Sequence, residues 1–231
     1  MVGTDGELVL LSLVVLSALT FVLGGFETRR WLSFRRRSEL YWSVGLVLVG
    51  ITLAQEAAVY AGYDAGPFLA FYFLLVALLV GILSLGSAEL AFGPRWRRVY
   101  AAYLAAASAL VAYFCFAGPI SAQVVTAGVV TGSPGVGVIV ASSLVTFPAA
   151  AIMAGGAILG VVRGRRWNLA YIAAGILVIS AAGSLYIASF PVTLYYAEFA
   201  GVLLLFFGFV RLPAPSPAPS GAGVGGPATG E

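Results

Sequence analysis

Two glutamates, Glu56 and Glu198, interrupt long apolar runs in this 231-residue chain. An acid at membrane depth is expensive, so by default it marks a binding site or a paired interior. Thr52, Glu56 and Tyr60 follow an i, i+4, i+8 spacing that puts them on one helix face, with Gln55 beside it, and Tyr195 stands three residues before Glu198. Counted from the outer ends of their runs, Glu56 lies about 6 Å deep and Glu198 about 9 Å, at 1.5 Å per residue. Tyr72, Tyr113, Ser142, Ser143, Ser184 and Tyr186 bring hydroxyls to a similar level. The expectation is a polar layer in the outer half of a helix bundle. There Glu56 and Glu198, with Gln55, Tyr60, Tyr72, Tyr113, Tyr195 and Ser184, bind or pass a small solute, an amine or a proton. The competing account is ordinary interfacial chemistry. Tyrosines gather at membrane surfaces, and a glutamate one turn deep can reach water or headgroups.

What the chain lacks narrows this chemistry further. It has no histidine, and all twelve bases are arginines. Without lysine there is no Schiff base, so a seven-helix retinal protein is excluded. Without histidine there is no His-ligated haem, copper or zinc and no imidazole base, and no cofactor is expected. No hydroxyl or thiol has a histidine or lysine to activate it, which points away from an acyl-transfer enzyme. The single Cys115 sits in an apolar run and reads as a small buried hydrophobe. Gly132-Ser-Pro-Gly-Val-Gly137 lacks the lysine of a phosphate-binding loop. Lysine-free, Ala/Gly/Arg-rich usage suggests a GC-rich prokaryotic genome.

These residues must be held by membrane-spanning helices. With 61% hydrophobic and 9% charged residues, a soluble globule is excluded. A span takes about 20 apolar residues, because the hydrocarbon core is about 30 Å thick. Seven stretches qualify, at about 7–25, 41–60, 67–88, 99–117, 136–162, 168–189 and 192–210. The first follows Asp5 and Glu7 rather than a basic segment and reads as a retained span. The fold class is therefore an all-α, polytopic seven-helix bundle over residues 1–211. Residues 212–231, rich in Pro, Gly and Ala, form a disordered inner tail.

In a seven-span reading all arginines fall on one side, which places the N-terminus outside and the C-terminus in the cytoplasm of a multi-pass inner-membrane protein. Trp31, Trp42, Trp96 and Trp167 lie near the same boundaries, as interfacial indoles would. Arg95, Arg97 and Arg98 are expected to meet anionic lipid headgroups or to pair with Glu89. Short basic loops do not make a nucleic-acid surface. Residues 118–135 read as an outer loop able to form a small hairpin or re-entrant cap, with Gly132-Ser-Pro-Gly135 supplying the turn. Pro148 interrupts the fifth span and should kink it, leaving a carbonyl for Ser142, Ser143 or Thr146 to satisfy. Gly156, Gly160, Ala102, Ala105, Ala106 and Ala109 offer small faces for close helix approach. The alternatives to a solute- or proton-binding protein are a non-catalytic scaffold that meets a second copy or another membrane protein, and a membrane sensor.

Overall fold

The computed structural model describes residues 4–63, 65–118, 121–125, 129–133, 135–164, 170–172, 174, 175, 178 and 191–210. They form α1 (Thr4–Phe34), α2 (Arg37–Tyr60), α3 (Gly66–Ala91), α4 (Pro94–Ala117), the strands β1 (Ser121–Val125) and β2 (Val129–Ser133), α5 (Val136–Gly164) and α6 (Pro191–Val210). Five of these helices, α1 to α5, are long and apolar enough to cross a membrane, which suggests a membrane-embedded helical protein. The predicted sixth span and the tail lie almost wholly outside the described residues.

The helix ends have local causes. Proline opens α4 and α6 and occupies the first turn of α3, where its missing N–H costs nothing. At the end of α2, Gly62 adopts φ +101°, its N–H bonding to the Val59 carbonyl and that of Tyr63 to the Ala58 carbonyl. This paired closure satisfies the carbonyls left free by the last turn and needs a residue tolerant of positive φ. α1 continues to Phe34 rather than stopping near residue 25, where charges begin. Only Arg35 and Arg36 separate it from α2, with Arg35 in the left-handed region at φ 54° and its guanidinium 5.5 Å from the centre of the Trp31 ring.

From α1 to α5, helices consecutive in sequence are antiparallel. Ser17 donates to the Gly50 carbonyl at 2.8 Å, and Thr28 shares a hydroxyl hydrogen bond with Ser43, which fixes α1 on α2. Gly45 lies against Leu83, and Gly86 against Trp42, fixing α2 on α3. A hydrogen bond of 2.7 Å between the Ser84 and Tyr100 hydroxyls does the same for α3 and α4. α3 is central, touching α2, α4 and α5, while α6 packs along α1. The core is a chain of apolar clusters. One lies among α3, α4 and α5, another joins Leu23, Trp42, Leu46, Leu83, Met153 and Leu205, and a third joins Leu13, Leu16, Leu53, Ala57 and Val202. Passing along α6 from Phe199 to Leu205, the partners change from the third cluster to the second, so α6 runs parallel to α1.

Three expectations change here. Trp42 is not an interfacial indole: it is buried in the core, seated over Gly86. The loop after α4 does form an antiparallel hairpin, pairing Ser121 with Ser133 and Val125 with Val129, but Gly132 and Ser133 belong to its second strand rather than its turn. Finally, α5 runs on as one helix through Pro148, whose ring removes the donor for the Leu144 carbonyl one turn back. That carbonyl accepts from Tyr103 Oη of α4 at 2.6 Å, whereas Ser143 donates to Ile139. A neighbouring helix, not a local hydroxyl, satisfies the proline site.

Candidate functional site

The stripe of α2 that faces α3 carries Gly45, Thr52, Glu56 and Val59 at helical spacing. Gly45 meets Leu83, Trp42 meets Gly86, and Val59 packs with Leu69. Continuing that register places Tyr72 of α3 directly across from Glu56. Two of the expected site residues are thus brought to one level on facing stripes. Glu56 and Thr52 are buried, Tyr60 and Tyr72 partly so. Thr52 returns its hydroxyl to the Leu48 carbonyl within α2. Gln55 is buried on the flank of the stripe, and among the described residues its Oε1 accepts no hydrogen bond.

α6 reaches the same layer. Phe199 and Val202 pack with Leu53 and Ala57, so the α6 backbone beside Glu198 stands next to the C-terminal half of α2. The side chains of Glu198 and Tyr195, and residues Ser184 and Tyr186, lie outside the described residues. β1 lies against α3 and β2 against α2. Tyr113 does not join this layer. α4 buries Tyr100, Leu104, Ala107, Val111 and Cys115, and Tyr113 stands on the opposite face, 65% exposed. Ala102, Ala105, Ala106 and Ala109 also face outward, so Ala107 is the alanine through which α4 meets the core.

At the arginine-bearing end, Arg97 binds Glu89 at 2.6 Å, the expected pair between α3 and α4. Arg95 and Arg98 are exposed, Arg98 Nε reaching the Pro94 carbonyl at 3.3 Å. Sequence reasoning missed a second acidic group here. Glu27 of α1 and Glu39 of α2 are both buried, at 0% and 2% exposure, and Arg30 lies between them, 3.7 Å from Glu27 Oε1 and 3.5 Å from Glu39 Oε1. Their position inside an arginine-rich stretch made them look like connector residues. The available signal was the Glu27–Arg30 spacing, i to i+3, which continues α1 past the apolar window. Among the described residues no group of three or more His, Cys, Asp or Glu side chains could hold a metal ion.

No family model, curated protein or solved structure matches this chain. Its function is therefore argued from the site itself.

Proposed function

We propose that this is a seven-span inner-membrane protein, N-terminus outside and of prokaryotic origin, that binds or moves a small solute or a proton through the polar layer in its outer half. The observation that carries the reading is buried Glu56 set across from Tyr72, with buried Gln55 on its flank and a hairpin that touches α2 and α3. A carboxylate, an amide oxygen without a donor and a phenol offer a cation or protonated amine hydrogen-bond acceptors in a low-dielectric setting. Seven crossings are supported by direction. α5 ends at the arginine end while α6, parallel to α1, begins at the other, with residues 165–190 joining them. The arginines around the α1–α2 link and in the first turns of α4 lie at that same end, which favours its being cytoplasmic.

The test uses the full chain in proteoliposomes, with proton entry read by an entrapped pH dye and thermal shifts read with ammonium and small amines. Glu56→Gln and Glu198→Gln should each abolish the flux or the shift while the protein stays monodisperse, and Tyr72→Phe should weaken it. Wild-type behaviour in both glutamine variants overturns the proposal. A second reading, a scaffold that meets a second copy or another membrane protein, is favoured by the outward alanine face of α4. Leucine at Ala105 would then disrupt the assembly, as seen by cross-linking in membranes, and an unchanged pattern would remove that reading.

A further inference from the structure

We infer that Glu27 and Glu39, at the opposite end of α2 from Glu56, form a proton-binding site that holds one proton between them. Two carboxylates face one guanidinium here, so with both ionised the cluster would carry one uncompensated negative charge. Glu27 is fully buried and Glu39 nearly so. Arg30 lies 3.7 Å from Glu27 Oε1 and 3.5 Å from Glu39 Oε1, and among the described residues Glu27 Oε1, Glu27 Oε2 and Glu39 Oε2 accept no hydrogen bond. A buried anion in that condition is the arrangement proteins avoid by neutralisation. A proton both cancels the excess charge and converts one orphaned acceptor into an O–H donor.

The surroundings supply no other counter-charge among the described residues. On α1, Arg29 is exposed; Arg35, Arg36 and Arg37 of the link and the start of α2 are exposed as well. On α3, Glu89 is taken up by Arg97 of α4. The Thr28 hydroxyl, next along α1, is engaged with the Gly24 carbonyl and with Ser43. A metal ion would need more ligands than two carboxylates provide, so the proton is the favoured occupant. It comes from and returns to water on the arginine side, and no bond other than O–H is made or broken. The inference rests on the α1–α2 pair alone and stands whether or not the outer layer binds anything.

Charge counting gives a specific test by infrared spectroscopy of the purified full chain at pH 7 in choline chloride. The readout is the carbonyl stretch of a protonated carboxylic acid, identified by its downshift in D2O and taken as a difference from wild type. Glu27→Gln leaves one carboxylate for one guanidinium, and so does Glu39→Gln. Each variant should therefore lose the same single-carboxyl band, whereas two independent acids would not behave alike. Arg30→Gln should double the band. Because glutamine mimics the protonated acid, both glutamate variants are expected to fold, and either can be read if the arginine variant does not. A band retained in either glutamate variant overturns the inference. So does a band that sodium chloride abolishes, which would assign the site to sodium instead.

Discussion

Replacing Arg30 by glutamine strands two buried carboxylates, and the expected loss follows from protonation arithmetic. If the wild-type cluster is neutral with one proton, the variant must take up a second to remain so. Holding a carboxyl protonated at pH 7 against an ordinary value of about 4.3 costs about 3.7 kcal/mol, at about 1.4 kcal/mol per pH unit. This agrees with the roughly 3–5 kcal/mol seen when one partner of a buried ion pair is removed. The sign follows from linkage: the folded variant binds one more proton than folded wild type, and the unfolded chains bind alike, so the deficit grows as pH rises and shrinks toward about 2.3 kcal/mol at pH 6.

Arg97→Gln provides the contrast. Its contact with Glu89 is shorter, 2.6 Å, but the two side chains are 27% and 15% exposed, against 13% for Arg30 and 0% and 3% for Glu27 and Glu39. Water screens the shorter pair, whose loss should cost about 1 kcal/mol or less. Reversible unfolding in mixed micelles, followed by the fluorescence of the nearby Trp42, would measure both. Burial outranks distance in this account; equal losses for the two variants, or an Arg30→Gln deficit that does not vary with pH, would refute it.

Three further outcomes are expected. Tyr103→Phe should cost about 1–2 kcal/mol by orphaning the Leu144 carbonyl, and most of that loss should vanish in a Pro148→Ala background, where the helix again supplies an N–H; a double-mutant cycle in the same unfolding assay decides. Gly86→Ala drives a methyl into the Trp42 indole and to 3.0 Å from the Ser38 carbonyl, so it should destabilise by about 1–3 kcal/mol, while Gly156→Ala, facing only the Ser87 Cβ at 3.9 Å, should be near neutral in thermal melts. Tyr113→Ala should leave solute or proton movement unchanged because its ring points away from the core, and a loss of flux there would return it to the site.

Span positions were legible because hydropathy and length report how much apolar chain is present, and the α2 to α5 boundaries follow the apolar windows closely. Direction was not legible in the same way. In an apolar helix such as α4 the inward and outward faces have the same composition, so nothing in the sequence chose the Leu104–Val111 stripe over the one carrying Tyr113. Trp42 misled for a related reason: an indole near an arginine run fits the membrane interface as well as it fits a glycine-floored pocket. The α1 terminus was missed because charges were taken as the edge of the span, whereas Arg30 pairs with Glu27 within α1 and with Glu39 of α2, and the helix continues through them. Glu56 opposite Tyr72 was only half legible; residue types and depth were readable, but the pairing required the α2–α3 register.

The joint at Arg35 and Arg36 is too short to let α1 and α2 part company. Hydroxyl contacts clasp the two helices along their length, whereas α2 meets α3 across the bare backbones of Gly45 and Gly86. With the Trp42 indole seated over Gly86 and Leu83 pressed against Gly45, α3 is keyed into that clasped pair, and α2 carries Glu39 and Glu56 about 25 Å apart on a single held rod.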